Sequence, residues 1–356
     1  MRVALVGLPF SGKSTLFAAV AEAGGSEVHL DRPDTEHLAV VKVPDERLEW
    51  LFELFEPRKC VHAELEFLDV PGLDLTDEQA RQRARAHWPA VRQSDMIVFV
   101  VRGFHDESLP AYRGRVDPEQ DLDELRTEMI FSDLEQVAAR IAKLQAQLKK
   151  PTPDREEHAR ELELMQRLQD ALEAERPLTE AVANEAEEKM VRAFAFLTLK
   201  PALVVVNCDE GSAGQSGPGE LCGYPAIQLS AKIEEELARL APADRQEFMK
   251  DLGIDSSARD RLVRACYEAM HLVSFFTHGE KEARAWSIPA GTDAVTAAAE
   301  VHTDMARGFI RAEVVAFEDL RAAGSEKAAR AAGKFRLEGK NYIVQDGDVI
   351  HFRFNV

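Results

Sequence analysis

Gly7-Leu8-Pro9-Phe10-Ser11-Gly12-Lys13-Ser14 is the stretch that decides the reading of this chain. It fits G-x-x-x-x-G-K-[ST], follows the β-branched and aliphatic run Arg2 to Val6, and opens the helix-like stretch Ser14 to Ala23. Strand, glycine loop and helix in that order are the context that separates a phosphate loop from a chance glycine turn. Glycines let backbone N–H groups curl around an anion, and the helix N-terminus adds its dipole. Lys13 is expected to reach the β- and γ-phosphates of a purine nucleotide, and the Ser14 hydroxyl to ligate Mg²⁺. The expected cradle is Gly7, Pro9, Phe10, Ser11, Gly12, Lys13, Ser14 and Thr15.

Further strands follow downstream. Glu64 to Val70 ends at Asp69-Val70-Pro71-Gly72; Met96 to Val101 is almost wholly apolar, which predicts a central strand of a parallel sheet; Ala202 to Val206 comes much later. D-x-x-G alone marks a common turn. On the second strand after a phosphate loop, Asp69 is expected to hold Mg²⁺ directly or through water, and the Gly72 N–H to sense the γ-phosphate. Lys13, Asp69 and Gly72 are thus the candidate catalytic set.

Asn207-Cys208-Asp209-Glu210 follows the fourth strand, where GTP-binding proteins carry N-K-x-D to read guanine. Guanine offers an N1–H and a 2-amino group to that aspartate, whereas adenine has an acceptor at N1 and no 2-amino group. Glu210 is a longer acid at that place, so the reading is relaxed or adenine-directed selectivity; a bidentate base contact of this kind is worth about 1–3 kcal/mol. Ser230-Ala231-Lys232, after another apolar stretch, is expected to set backbone groups beside the base, with a plain helix cap as the alternative.

The 356 residues suffice for two or three domains, and 63 acidic against 44 basic residues give a net charge of -19. That balance argues against general attraction to DNA or anionic membranes, while leaving room for a local basic patch that binds RNA. No apolar run approaches the roughly 20 residues of a membrane span. Met1 to Val6 leads into the glycine loop and not into a cleavage site, so the expectation is a cytoplasmic protein. Cys60, Cys208, Cys222 and Cys266 are too scattered for a metal or disulfide framework and read as reduced thiols.

Between the third and fourth strands, Ile130, Leu134, Val137, Ile141, Leu144 and Leu148 recur at alternating four- and three-residue steps, the apolar seam of a coiled coil. Pro151 and Pro153 break this helix, and Met165, Leu168 and Leu172 continue the spacing in a second one, which predicts an antiparallel helical hairpin. It is either an insertion packing on itself or a partner-binding arm. Near the end, Lys340 to Val344 and Val349 to Phe354 flank Asp346-Gly347-Asp348, read as two strands about a turn in a small α+β domain.

This ordered set resembles the Obg-related GTPases, and specifically the Obg-like ATPase family also called YchF. The likeness extends nearly end to end: residues 275–286, Gly308-Phe309-Ile310-Arg311-Ala312-Glu313-Val314 and residues 344–354 are similar to that family's C-terminal part. The resemblance implies an α/β fold with a P-loop G domain (1–124 and 199–274), an inserted α-helical coiled-coil domain (125–198) and a C-terminal α+β TGS-like domain (275–356). It also implies ATP hydrolysis in preference to GTP, with Asn207 to Glu210 as the family's altered base-reading motif, and association with ribosomes.

Several residues depart from the family pattern. Phe10 and Ser11 stand where it usually has Asn-Val, and phenylalanine lacks the oxygen that holds a monovalent cation in potassium-activated relatives. Leu73 fits the family's hydrophobic replacement of the water-orienting glutamine, but Phe99 occupies the place of a histidine proposed to assist there. Asp74 to Ala86 replaces the usual glycine- and lysine-rich stretch. For the first switch, Thr35 is the candidate γ-phosphate-sensing and Mg²⁺-binding hydroxyl, although an ungapped alignment sets Pro33 at the family threonine. Two main functions follow, with one minor alternative: a slow ATPase switch, or an ATP-binding interaction protein with little turnover. A GTPase is the third.

Overall fold

A computed structural model describes residues 1–23, 35–150, 153–215, 217–251, 253–254 and 256–355. The strands are β1 (Arg2–Val6), β2 (His37–Lys42), β3 (Cys60–Val61), β4 (Glu64–Asp69), β5 (Met96–Gly103), β6 (Ala202–Cys208), β7 (Gly219–Leu221), β8 (Tyr224–Leu229), β9 (Leu272–His278), β10 (Ala283–Pro289), β11 (Phe309–Ala316), β12 (Arg336–Glu338) and β13 (Asp348–Phe354). The helices used below are α1 (Lys13–Ala23), α2 (Glu46–Phe55), α3 (Glu78–Arg85), α4 (Trp88–Arg92), α5 (Pro118–Leu148) and α6 (Arg155–Glu173).

Contacts divide the chain into two compact units, residues 1–39 with 66–259, and residues 40–65 with 260–356. The first is built on a sheet of order β2-β4-β1-β5-β6-β8-β7. Neighbours from β4 through β8 pair in parallel, and β7 pairs antiparallel with β8. β5 lies fourth in that order with its apolar residues buried, as expected of a run that is hydrophobic on both faces. Parallel pairing aligns the C-terminal ends of β1, β4, β5 and β6 along one edge. Ligands of open α/β sheets bind outside that edge.

The inserted segment forms the helical hairpin. α5 is capped by the Asp117 carboxylate on the Gln120 N–H and begins with Pro118, whose missing N–H costs nothing in the first turn. Val137, Ile141 and Leu144 of α5 share a buried cluster with Leu164, Met165, Leu168 and Leu172 of α6, with Ile130 and Leu134 packed beside it. Leu148 ends α5, and Pro151 lies outside the described residues.

In the second unit a six-stranded sheet runs β12-β11-β13-β9-β10-β3. Residues 40–65, assigned from sequence to the first part of the G domain, supply β3 and α2 to this unit. β3 pairs in parallel with β10, and Trp50 of α2 packs edge-on to Phe317 at 5.4 Å. Arg47 of α2 binds both Asp45 and Asp346, while the Asp346 carboxylate also accepts the Ser274 N–H.

The expected strand Lys340 to Val344 does not form; only Ile343 makes an isolated bridge, to Asp293. The Asp348 carboxylate accepts the Tyr342 hydroxyl at 2.7 Å and the Gln345 N–H at 2.9 Å. These bonds fold 342–348 into a corner, and β13 pairs instead with β11 and β9.

Candidate functional site

β1 delivers the glycine loop onto the N-terminus of α1. Register places Leu5 opposite Asp69, so the carboxylate at the end of β4 emerges beside the loop. Lys13 Nζ donates to Asp69 Oδ1, and Ser14 Oγ donates to Asp69 Oδ2 at 2.9 Å. Both charged side chains are only 4% exposed. Burial pushes the Lys13 ammonium below its ordinary pKa, with the adjacent Asp69 carboxylate opposing that shift. A cation held this way is desolvated in advance and acts strongly on any anion that replaces Asp69 as its partner.

Glycine is required at two points of the loop. A Cβ on Gly7 would stand 2.6 Å from the Val100 carbonyl oxygen; one on Gly12, which has φ 82°, would stand 2.0 Å from Asn207 Nδ2. Asn207 bridges both sides of the site, its Nδ2 donating to the Ser11 carbonyl and its Oδ1 accepting the Ala231 N–H, each at 2.9 Å. Phe10 also has a positive φ, 63°, unusual for a bulky side chain, and is 51% exposed.

These elements enclose a cavity of about 1020 Å³. Its walls include Pro9, Phe10, Ser11, Gly12, Lys13, Ser14, Thr15, Gly72, Asn207, Glu210, Ser230, Ala231 and Lys232. Asp69 is buried beneath through Lys13 and Ser14, and Gly7 shapes the loop from below. Gly72 sits close enough to Pro9 that a Cβ there would be 3.2 Å from the Pro9 Cα. Ser230 occupies the cap position of the helix Ala231–Arg239 without a side-chain capping bond. Lys232 Nζ pairs with Glu210 Oε1 at 2.5 Å, which raises the lysine pKa. Thr35 stands apart: it is exposed, does not line the cavity, and its hydroxyl lies 3.5 Å from His37 Nε2. Pro33 lies outside the described residues.

Leu73 and Phe99 do not reach the cavity. Leu73 is anchored by its N–H on the Gly7 carbonyl at 2.9 Å with its side chain in the core, and Phe99 is buried in β5 against Tyr224.

The cavity also has a wall that the motif reading missed. Phe104, His105, Asp106 and Leu109 follow β5, and Asp209 follows β6. The buried Arg102 guanidinium shapes the first loop by donating to the carbonyls of Phe104, Leu109 and Pro110, and it lies 4.4 Å from the Phe104 ring centre. The His105 N–H donates to Asp209 Oδ1 at 3.0 Å, tying the two loops together. Their signal was positional: they follow the C-terminal ends of central parallel strands.

The donor set suits Mg²⁺. Ser14 and Asp69 present adjacent hard oxygen ligands, and among the described residues no cluster of three His, Cys, Asp or Glu side chains forms a metal cage. Ser14 and Asp69 would hold such an ion, with phosphate and water completing its ligands, and the ion would neutralise phosphate charge.

A family model described as a 50S ribosome-binding GTPase matches residues 2–141, and the YchF GTPase C-terminal model, described as a protein of unknown function, matches residues 272–355. The ribosome-binding ATPase YchF of Bacillus subtilis (strain 168) is 39% identical over 99% of this chain and 98% of its own length. The protein of the same name from Escherichia coli O157:H7 is 34% identical with the same coverage. Among solved structures, the Schizosaccharomyces pombe YchF GTPase is similar with a TM-score of 0.83 and 29% identity, over 99% of this chain and 97% of that one. A GTP binding protein from Pyrococcus horikoshii OT3, at 17% identity and TM-score 0.58 over both full chains, shares the fold. With a phosphate loop in place and relatives this similar along nearly the whole length, the chain belongs to the YchF family.

Proposed function

We propose that the chain is a slow ATP-hydrolysing switch that works on the ribosome. The observation that carries this reading is the Asn207 bridge, which joins the phosphate loop to the Ser230–Lys232 turn in one cavity beside the buried Lys13–Asp69 pair. Loop N–H groups and Lys13 would hold the phosphates, and Ser14 and Asp69 the Mg²⁺, which supplies further neutralisation of the transferred charge. Thr35 is the further metal ligand this reading proposes, although it does not line the cavity in this structure. Glu210, engaged by Lys232, offers guanine a poorer fork than an aspartate would, which supports ATP over GTP.

Ribosome association comes from relatives named ribosome-binding ATPases. The four-part division, with a G domain in two pieces, a helical insertion and a TGS-like C-terminal domain, goes with that reading, as does a cytoplasmic location. Single-turnover hydrolysis of labelled ATP, compared with Lys13→Ala and with added potassium, tests the chemistry. Sedimentation with ribosomes, with and without a non-hydrolysable ATP analogue, tests the partner.

A second reading is an ATP-binding interaction protein with little turnover. The buried side chains of Leu73 and Phe99 favour it, since neither can orient water. Turnover equal to that of Lys13→Ala would select it. A GTPase is the third reading, and titration giving tighter GTP than ATP binding would select that one.

A further inference from the structure

The segment after Gly72 is joined to the helical arm by ion pairs whose cationic partners come from the G-domain side and whose anions come from α5. Leu75 is fixed by its N–H on the Tyr112 hydroxyl at 3.0 Å, and its carbonyl accepts from Arg81 and Arg113. α3 then runs to Arg85, whose Nε donates to Glu128 Oε1 at 2.6 Å and whose Nη1 meets Glu135 at 3.1 Å. Arg81 lies 3.9 Å from the same Glu128, a side chain only 2% exposed. From α4, Arg92 pairs with the fully buried Asp133 at 2.7 Å and donates to the Ser132 hydroxyl and the Ala195 carbonyl.

These two contacts differ in kind. Asp133 also accepts the Leu197 and Thr198 N–H groups and the Thr198 hydroxyl, so Arg92 and the returning chain hold α5 in a fully satisfied socket. Among the described residues Glu128 accepts a hydrogen bond only from Arg85, with Arg81 at longer range. Beyond this root the arm is held by the apolar cluster it shares with α6. A buried ion pair adds little net stability over an apolar contact, but it has two discrete states, made and broken, with a large penalty for leaving the anion unpaired.

We propose that Arg85–Glu128 transmits the state of the nucleotide cavity to the helical arm, with Arg92–Asp133 as the pivot. The inference rests on the switch reading above. Rearrangement of Gly72 around a γ-phosphate shifts Leu73 to Leu75, carries α3 with it, and re-aims Arg85 on Glu128. α5 answers as a rigid rod about Asp133. Arg85 and Glu128 are positioning residues, since neither touches the cavity.

Amide hydrogen exchange across residues 120–140 of the full chain, with Mg²⁺ and either ADP or a non-hydrolysable ATP analogue, tests this, with calorimetry of both nucleotides alongside. The natural chain is expected to show a severalfold difference in exchange between the two nucleotide states. Arg85→Ala and Glu128→Gln should lose that difference while binding both nucleotides as before, and Arg85→Lys should restore part of it. If either variant fails to fold, the natural chain still decides: equal exchange in both states, with both nucleotides bound, overturns the relay. A full difference surviving in folded Arg85→Ala overturns it as well. Absence of nucleotide binding in the natural chain removes the switch reading, and the relay with it.

Discussion

Asn207 fills the space that a side chain on Gly12 would need: the amide nitrogen of Asn207 stands 2.0 Å from where a Gly12 Cβ would be, while the same amide holds the Ser11 carbonyl at 2.9 Å. The asparagine therefore sets the height of the phosphate loop as well as the position of the Ala231 turn. Asn207→Ala is expected to lower folding stability by about 2 kcal/mol, two buried hydrogen bonds at roughly 1 kcal/mol each, and to weaken ATP binding because the loop loses its support. Gly12→Ala should be worse, because steric conflict adds to a positive φ. Combining the two should recover part of the Gly12→Ala loss, measured as a double-mutant cycle of Kd by calorimetry. Simple additivity would show that the clash is not what Gly12 avoids.

Lys232 and Glu210 pair across the base side of the cavity, and both are largely solvent-exposed. An exposed pair contributes about 0–1 kcal/mol to stability, so Lys232→Ala should fold normally. Freed from the ammonium, the Glu210 carboxylate becomes available to the guanine edge. The GTP-to-ATP affinity ratio should rise by about three- to tenfold, a fraction of a full bidentate base contact. Competition binding of the two nucleotides measures this, and an unchanged ratio would remove Glu210 from base selection.

Phe10 holds φ 63° with half its surface in water. A bulky residue in the left-handed region costs about 1–2 kcal/mol, which asparagine, at home there, largely avoids. Phe10→Asn should therefore raise the denaturation midpoint of the nucleotide-free protein, and it places a carbonyl oxygen where phenylalanine offers none. Urea unfolding and hydrolysis rates in potassium against sodium read the two effects separately. Loss of stability would show that the exposed ring contributes packing that outweighs its backbone conformation.

The sheet and the phosphate side of the site were legible because their signals are local. The loop follows its strand directly, Asp69 ends a strand, and Asn207 ends another. Phe104 also follows a strand end, but its place in the wall depends on Arg102 gathering several carbonyls, a tertiary arrangement that no spacing encodes. The grouping of 40–65 with the C-terminal unit was equally hidden, since Arg47 finds Asp346 across 299 residues. The hairpin expected about Asp346–Asp348 failed for a related reason. Its alternating pattern was sound as local propensity, but the Asp348 carboxylate gathered Tyr342 and Gln345 into a corner.

Asp121, at the root of α5, supplies a pH dependence. Its side chain is 4% exposed, and burial lifts its pKa from 3.8 to about 6, against the opposing Arg115 guanidinium at 3.3 Å. The folded state thus holds a proton that the unfolded chain releases between those values. Stability from this group is present at low pH, falls as pH rises through about 6, and stays low above it. Asp121→Asn keeps an acceptor for Arg115, which also pairs with Glu124 at 2.7 Å, and removes the buried charge. The variant should match the natural chain near pH 4 and exceed it by about 1–3 kcal/mol at neutral pH. Urea unfolding at both pH values measures the difference, and a variant less stable at neutral pH would mean that the ionised Asp121–Arg115 pair outweighs its own desolvation.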